Sequence, residues 1–276
     1  MRIRIATCTT LPEVDADEAP LAEAFARAGV EATLVAWDDE RADWDAPQPT
    51  VIRSTWNYAL DVARFAAWID RAAAAGPLFN PPHVVHANLR KRYLLELQER
   101  GVPIVPTTLI EQGERCELAS IAAPRIVIKP EIGAGSLNAK AFAPSDLAAA
   151  EHLAMLTATG AALVQPYLAS VEAYGERSMI WIDGELTHAI RKTSRFAGQT
   201  ERVEGPFAIA DDERAVAEAA LAPYAGDLLY GRVDLARDAS DRPCVMELEL
   251  VEPSLFFAKL PGTADRFVAG LRRRLA

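Results

Sequence analysis

The chain has 276 residues and a formal net charge of −10; half of its residues are apolar and 25% are charged. This is the composition of an ordinary soluble globular protein, and the length allows two domains with separate cores. The acidic balance argues against a nucleic-acid or an anionic-membrane partner, because both require a basic surface.

Cysteine and histidine usage excludes two further classes of protein. Cys8, Cys116 and Cys244 are isolated in sequence, and the four histidines form no HExxH motif. Neither a disulfide framework nor a zinc site is therefore indicated. No signal peptide precedes the acidic residues near the N-terminus, and no apolar run is long enough to span a membrane. The sequence predicts a cytoplasmic protein.

The first 80 residues predict a small open α/β domain. Alternating apolar segments predict strands at residues 2–8, 31–37 and 50–53. Helices are predicted at 21–28 and from an Asp61 cap to about residue 75. This order of elements is typical of a sheet with mostly parallel strands. The turn after the first strand lacks GxGxxG, and the chain contains no GxxxxGK[ST], which argues against the usual dinucleotide and P-loop sites.

A polar and aromatic cluster, RSTWNY, follows the third predicted strand at residues 53–58. Ligands of open α/β sheets bind beyond the carboxyl ends of the strands. Arg53 in this position could bind a carboxylate or a phosphate. The alternative is an ordinary loop that carries a half-buried tryptophan.

The next segment combines two lysines with a glycine-bearing loop. A boundary is expected at residues 79–82, and a helix with an Asn88 cap is predicted over 88–100. The strand predicted at 125–129 ends in Lys129, and residues 130–136 form a loop before another strand at 138–142. Such a loop can direct backbone N–H groups at phosphate oxygens, although it could also be a simple hairpin turn.

A helix capped by Ser145 and a strand at 162–167 come next in the chain. Residues 177–182 and 185–191 flank Asp183-Gly184, a strong hairpin signal. Arg191, Lys192 and Arg195 then form a basic patch within an acidic protein, or a solvated strand end. A helix at 212–222 follows.

Residues 229–250 predict two antiparallel strands whose polar faces carry charge. A symmetric pairing sets Asp234 opposite Glu247 and Arg232 opposite Glu249. Three carboxylates on one patch require a positive partner, and oxygen ligands of this type suit Mg²⁺ or Mn²⁺. Met246 is predicted to be buried on the opposite face. The alternative is a solvated sheet face.

In chain order, these motifs resemble the ATP-grasp superfamily, from about residue 88 to the C-terminus. The motifs are a helical lysine, a lysine before a glycine loop, Gln-Pro-Tyr, Arg-x-Asp and Glu-x-Glu. The resemblance implies a small open α/β (pre-ATP-grasp) N-terminal domain at residues 1–82, on the substrate side. A two-lobed ATP-grasp domain would then occupy residues 83–276. Its ATP-covering lobe would lie at about 120–168, and its metal-binding lobe at about 169–276.

The resemblance also implies the residues that bind ATP. Lys91 and Lys129 correspond to the lysines that contact the nucleotide. The loop over the phosphates corresponds to Gly133, Gly135 and Ser136. The adenine-binding hinge corresponds to Gln165, Pro166 and Tyr167. The ribose-binding acid corresponds to Glu172 or Glu176. The choice between these two acids stays open.

Metal, catalytic and substrate roles follow from the same resemblance. Asp234, Glu247 and Glu249 correspond to the metal ligands, although many members have Asn where Glu249 stands. Arg232, with Lys129, corresponds to the cations that stabilise the reacting groups. The residues expected to hold the substrate or its anionic parts are Arg53, Ser54, Trp56, Arg191, Lys192 and Arg195.

The implied function is an ATP-dependent carboxylate–amine ligase that acts on a small amino acid or peptide. Such enzymes use ATP and Mg²⁺ (or Mn²⁺), form an acyl phosphate, and release ADP and phosphate. Within the superfamily the chain is similar to glutathione-synthetase-like members and to the O-ureido-serine cyclo-ligase of cycloserine biosynthesis, which would make the product a ring. A homodimer would be usual for the superfamily. A non-catalytic ATP-binding regulatory module and a metal-dependent phosphatase or nuclease are the alternatives.

Overall fold

The computed structural model describes residues 1–135, 137–193 and 202–276. Three β-sheets organise this part of the chain, one parallel and two antiparallel. They follow one another in sequence, so that each sheet is built from a separate stretch of chain. This arrangement agrees with the mixed α/β fold class predicted from the sequence.

None of the helices in the described ranges combines the length and the apolar character that a membrane crossing requires.

The N-terminal sheet is parallel, as predicted, with strand order β2-β1-β3-β4. The side chain of Asp61 accepts a hydrogen bond from the Arg64 backbone N–H and caps the second helix, also as predicted. The elements are β1 (Arg2–Thr7), α1 (Glu18–Arg27), β2 (Glu31–Ala36), β3 (Thr50–Ile52), α2 (Val62–Ala75) and β4 (Leu78–Phe79).

Two short helices, α3 (Pro82–Asn88) and α4 (Tyr93–Glu99), replace the single helix predicted over 88–100. That prediction was wrong because Asn88 does not cap a helix. Its buried amide donates to the Leu248 carbonyl and accepts from the Leu250 N–H, at 2.9 and 2.7 Å. Lys91 consequently lies on the turn between α3 and α4. The division of the chain at residues 82 and 83 stays a prediction.

The small antiparallel sheet has the strand order β5-β8-β6-β7. Its apolar face packs on α5, with Ile126 and Ile128 against Leu153. The predicted Ser145 cap was wrong by one residue, because Asp146 is the N-cap and its side chain accepts from the Ala143 N–H. The elements are β5 (Thr108–Ile110), β6 (Ile126–Pro130), β7 (Lys140–Phe142), α5 (Leu147–Thr157) and β8 (Ala162–Pro166).

The large antiparallel sheet has the strand order β11-β10-β9-β12-β13. The predicted hairpin at Asp183-Gly184 is present, and both residues have the positive φ (50° and 85°) that a tight hairpin turn requires. The elements are α6 (Ser170–Ala173), β9 (Glu176–Ile182), β10 (Glu185–Lys192), β11 (Val203–Phe207), α7 (Asp211–Leu221), β12 (Tyr230–Arg237), β13 (Pro243–Glu249) and α8 (Thr263–Arg274).

A register shift interrupts the pairing of β12 with β13. The register shifts by one residue between Asp234 and Leu235, so that Leu235 lies opposite Val245 and not Met246. Val245 is fully buried and Met246 only half-buried, so the predicted burial of Met246 was wrong. On its other edge Val245 pairs with the segment before β5, accepting from the Val105 N–H and donating to the Pro103 carbonyl. This second partner accompanies the shift and places Val245 in the core.

The N-terminal sheet packs on the large sheet through α1 and α8. Ile3 and Ile5 of β1 share one apolar cluster with Ile180 and Ile182 of β9 and with Phe267 of α8. As a result, the carboxyl end of β3 lies beside the loop that follows β13.

Candidate active site

The paired strands β12 and β13 carry the charged centre of the molecule. Arg232 lies opposite Glu249, and Asp234 lies opposite Glu247, which confirms the predicted pairing. Like charges opposite each other destabilise a sheet. The acids of these strands should therefore be neutralised by cations, and the structure shows which ones.

Arg232 is nearly buried and binds two of these acids. Its Nε and Nη2 donate to the two oxygens of Asp234 at 2.9 and 3.0 Å, and Nη2 also donates to Glu249. Burial alone would lower the pKa of Arg232, but Asp234 and Glu249 outweigh it and raise the pKa. Arg232 is therefore a permanent cation at this position. Its Nη1 donates to the carbonyl of Ser254 in the following loop, at 3.2 Å.

Lys192 supplies a second cation to Asp234. Its Nζ lies 2.9 Å from Asp234 Oδ2 and also pairs with Glu176. Burial would raise the pKa of Asp234, but Arg232 and Lys192 lower it below its ordinary value. The pKa of Glu176 is raised to about 8 by burial, against the pull of Lys192, and the charge of Asp234 raises it further. Glu176 is therefore an acid with a raised pKa that lies beside an ionised aspartate.

Two lysines from distant segments converge on Glu247. Lys129, at the end of β6, lies 2.8 Å from Glu247 Oε1, and Lys91 lies 3.9 Å from Oε2. Burial would raise the pKa of Glu247, but Lys129 and Lys91 lower it to about 2. Lys91 also donates to the Gly133 carbonyl at 2.8 Å, which links the glycine loop to the centre. The two lysines expected to contact ATP thus lie side by side.

Glu131 holds the turn that carries Lys91, and sequence reasoning missed this residue. Its buried carboxylate accepts from Arg90 Nη1 at 2.9 Å and from Arg92 Nε. Its carbonyl accepts from the Lys91 N–H at 2.9 Å. An acid two residues after a strand-ending lysine, with two arginines flanking the other lysine, was the available sequence signal.

The glycine loop follows directly on β6. Gly135 has a φ of +60°, and a Cβ there would meet no atom within 4 Å, so the constraint is conformational rather than steric. Ser136, which was expected to contact phosphates, lies outside the described residues.

The predicted adenine hinge is the end of β8. The Gln165 side chain donates to Thr107 Oγ1 at 2.8 Å, and Pro166 pairs across to Ile126. The Tyr167 hydroxyl donates to Glu172 at 2.9 Å, and Glu172 also accepts from Arg125. Glu172 therefore lies beside the hinge, whereas Glu176 lies beside Asp234.

The predicted substrate residues 53–56 contact the loop after β13. Arg53 is 3% exposed, and its Nη2 donates to Asp17 at 3.2 Å and to the Pro253 carbonyl at 2.7 Å. Ser54 Oγ lies 3.0 Å from Thr7 Oγ1. Trp56 Nε1 donates to the Glu252 carbonyl at 3.1 Å. Arg53 is thus buried against this loop. The structure also brings Asp17 and Glu252 to this region, and sequence reasoning missed both residues.

The predicted basic patch separates into different environments. Arg191 pairs with Glu204 on the neighbouring strand β11, while Lys192 points to Asp234. Arg195 lies outside the described residues.

The acids of this centre fit a hard divalent cation by the chemistry of their donors. Asp234, Glu247 and Glu249 offer oxygen atoms only, the ligands that Mg²⁺ and Mn²⁺ prefer. The Glu247 and Glu249 side chains are 27% and 28% exposed and can be reached from solvent. Across the described ranges no three acidic, histidine or cysteine side chains are gathered as a ready-made metal site. Cations from Arg232, Lys192 and Lys129 balance these acids instead.

Comparison with known proteins gives one consistent result. Residues 3–80 match the family model described as the N-terminal domain of D-cycloserine synthetase DcsG. The chain is 35% identical, over 294 aligned residues, to the cycloserine biosynthesis protein DcsG of Streptomyces lavendulae, covering 98% of this chain and 97% of the relative.

Solved structures agree with these sequence matches. The crystal structure of D-cycloserine synthetase DcsG superposes with a TM-score of 0.91 at 33% identity, over all of both chains. The ATP-grasp ligase PsnB, in complex with a phosphomimetic variant of its minimal precursor, Mg and ADP, gives a TM-score of 0.63 at 17% identity over 98% of each chain. At that low identity, the similarity to PsnB supports the fold alone.

Proposed function

The chain belongs to the family of the D-cycloserine synthetase DcsG, an ATP-grasp ligase, and on this premise we propose that it closes the ring of a small amino acid of the O-ureido-serine type. The chain is an ATP-dependent ligase, and ATP with a divalent metal ion is general to these ligases. The observation that carries the proposal is the 35% identity over 98% of the chain, together with the intact charged centre on β12 and β13.

In the proposed reaction, the substrate carboxylate attacks the γ-phosphorus of ATP. An acyl phosphate forms and ADP leaves. The oxygen-bound nitrogen of the ureidooxy group (–O–NH–) in the same substrate then attacks the acyl carbon and gives up its proton to solvent, the new C–N bond closes the ring, and inorganic phosphate departs with the former carboxylate oxygen. Phosphoryl transfer of this kind depends mainly on positioning and on neutralising charge, so it requires cations rather than a protein nucleophile.

The cations of the centre fit the phosphate-binding part of this scheme. Lys129 and Lys91 lie together on Glu247, and Lys91 also binds the glycine loop. When the triphosphate arrives, its oxygens offer these ammonium groups stronger partners than one carboxylate. The lysines would then hold the phosphates, with the backbone N–H groups around Gly133 and Gly135. Arg232 would neutralise charge that develops on the transferring group.

Asp234, Glu247 and Glu249 would hold the divalent ion, Mg²⁺ or Mn²⁺. When bound, such an ion would supply positive charge that neutralises the phosphate groups during transfer. Glu247 is suited to this role because Lys129 and Lys91 keep it ionised in the free site, and in the proposed scheme the divalent ion would take the place of Lys129 when that lysine turns to phosphate.

The nucleotide base and ribose have separate positions in the proposal. The hinge residues Gln165, Pro166 and Tyr167 would pair with adenine, and Glu172 would bind the ribose. Glu172 is favoured over Glu176 because it contacts Tyr167 of the hinge, whereas Glu176 is already bonded to Lys192.

The substrate would bind between residues 53–56 and the charged centre. Trp56 would line its site, while the buried residues Arg53 and Ser54 would support it, Arg53 by holding the adjoining loop and Ser54 by its contact with Thr7. Lys192, and on the sequence evidence Arg191 and Arg195, would attract anionic groups to the same region.

The test is ATP-dependent release of phosphate with O-ureido-serine in both configurations, followed by mass analysis of the product. Phosphate release with a cyclic product supports the proposal. Release that also requires an added amine, with a linear product, would instead support an intermolecular carboxylate–amine ligase. Failure of both enantiomers, with ATP still bound, would exclude the proposed substrate class.

A further inference from the structure

The loop after β13 carries a carboxylate, Glu252, to which no role has been assigned above. Its backbone is fixed on both sides. The Glu252 carbonyl accepts from Trp56 Nε1 and the Pro253 carbonyl from Arg53 Nη2, at 3.1 and 2.7 Å. The Ser254 carbonyl accepts from Arg232 Nη1, which ties the same loop to the charged centre. The backbone of the loop around Glu252 is therefore held by contacts with both the N-terminal domain and the charged centre.

The environment of this carboxylate is charged, and its own backbone N–H is a hydrogen-bond partner, but no described residue offers it a close cation. Glu252 is half-buried, and no ammonium or guanidinium nitrogen of the described residues lies within 4 Å of its carboxylate. The charges that act on it most are those of Glu249, Lys91 and Arg232. Lys91 is bonded to Gly133, and Arg232 to Asp234. Both cations are thus engaged elsewhere, although they face the same space.

Burial and the neighbouring Glu249 raise the pKa of Glu252 to about 8. Two more deeply buried acids of this chain have cations of their own. Glu131 is held by Arg90 and Arg92, and Glu213 by Arg177. A half-buried carboxylate without such a partner is costly unless a ligand supplies the cation.

The position of Glu252 identifies the kind of cation that would fit. It lies between residues 53–56 on one side and Arg232 and Glu249 on the other, where the proposed function places the substrate. An amino-acid substrate brings one group of suitable charge and size, its α-ammonium. We propose that Glu252 binds the α-ammonium group of the amino-acid substrate and thereby selects amino acids over simple carboxylic acids.

This inference rests on the proposed function, because it presupposes an amino-acid substrate in that site. It assigns Glu252 to specificity, and it separates Glu252 from the three acids proposed to hold the metal. The substrate carboxylate would then be directed away from Glu252, toward Arg232 and the phosphates, by simple charge repulsion.

The experiment compares two ligands in two proteins. The ligands are O-ureido-serine and its desamino analogue, 3-(ureidooxy)propanoic acid, which retains the carboxylate and the ring-closing nitrogen. The proteins are the full-length wild type and the Glu252→Gln variant, both with ATP and Mg²⁺. The measurements are KM for O-ureido-serine, KM for ATP, and the inhibition constant of the analogue against O-ureido-serine.

In the wild type we expect the analogue to bind roughly 10- to 100-fold more weakly than the amino acid, the range for one charge-assisted hydrogen bond. In Glu252→Gln that preference should fall to about twofold or less, because the amide no longer carries the charge that distinguishes the two ligands. KM for ATP should stay unchanged, whereas a general distortion of the site would raise it too. Glu252→Asp, which retains the charge, should restore part of the preference.

The matched control is Glu218→Gln, which removes an exposed carboxylate of α7 that pairs with Arg214. It should keep the wild-type preference. If Glu252→Gln also keeps the full preference for the amino acid, the inference is wrong while the proposed function stands. If the wild type neither turns over nor binds O-ureido-serine, the proposed function fails first and the inference fails with it.

Discussion

Two buried arginine–aspartate pairs, Arg53–Asp17 and Arg232–Asp234, contact the loop that follows β13, and they differ in the further partners of the aspartate. In the pair Arg53–Asp17 the carboxylate also accepts from the backbone N–H groups of Leu255, Phe256 and Phe257. In the pair Arg232–Asp234 the further partner is a side chain, Lys192. Backbone N–H groups satisfy the carboxylate of Asp17, whereas a side chain that can move, Lys192, satisfies the carboxylate of Asp234.

We interpret the first pair as structural and the second as part of the proposed catalytic centre. Burial raises the pKa of Asp17, and Arg53 offsets this only in part, whereas Arg232 and Lys192 lower the pKa of Asp234 despite its burial. Two acids with raised pKa values, Glu176 and Glu249, lie next to the second pair and can ionise if Asp234 is lost. The proposed catalytic centre therefore contains acids that can still ionise, whereas among the described residues no acid with a raised pKa lies beside Asp17.

The largest expected effect on stability comes from Arg53→Met. This change leaves Asp17 buried without its guanidinium and removes the donor to Pro253. Breaking a buried pair in this way costs about 3–5 kcal/mol in the free energy of unfolding. Urea denaturation would measure the cost. The matched control is Asp265→Asn at the surface pair with Arg27, which should cost less than about 1 kcal/mol. Equal losses from the two variants would contradict the structural role of Arg53.

The Asp234→Asn variant tests the other pair and should show the opposite pattern. We expect kcat to fall roughly 100- to 1,000-fold, the usual loss when one preorganised electrostatic group is removed. The loss of stability should stay below about 2 kcal/mol, less than half of the upper value for a broken buried pair, because Glu176 and Glu249 can take over the charge. Phosphate release and urea denaturation on the same preparation give both numbers. A loss of stability as large as that of Arg53→Met would remove the distinction between the two pairs.

The apolar side of β13 offers a test within the same strands. Val245→Ala should cost about 2 kcal/mol, because two buried methyl groups are lost in a closely packed core. Met246→Ala should cost less than about 1 kcal/mol, because that side chain is only half-buried. If Met246→Ala were the more costly change, the register shift between β12 and β13 would be incorrectly placed.

The smallest expected effect is a pH dependence at Asp17. Because its pKa is raised on folding, the native state binds a proton more tightly than the unfolded chain, so stability falls as pH rises above the ordinary value of 3.8. Arg53 lowers this pKa, so its loss should extend the fall to higher pH. The difference in unfolding free energy between wild type and Arg53→Met should therefore grow with pH, by at most about 1.4 kcal/mol per unit. A difference that shrinks with rising pH would contradict the assigned cause.

Part of the site could be read from the sequence because strands alternate with a period of two. That period placed the charged residues of β12 and β13 on one face, and a symmetric pairing then set Arg232 opposite Glu249 and Asp234 opposite Glu247, whereas the register shift beyond Asp234 reversed the prediction for Met246. The order of the lysines, the glycine loop and the acids likewise pointed to the superfamily, since these parts follow one another along the chain.

Other parts could not be read because they depend on contacts between distant segments. Lys91 and Lys129 meet at Glu247 only after the small sheet has packed over β13, and the pairing of Val245 with residues 103–105 lies outside any local pattern. Asp17 and Glu252 looked like ordinary loop acids until the N-terminal sheet packed beside the loop after β13. Local periodicity therefore determined the strands and the shared face of the acids proposed to hold the metal, but not the face of residues beyond the register shift. Only tertiary packing decided which cation each acid receives, because burial and the distance to a partner set the state of a charge, and neither quantity is written in the sequence nearby.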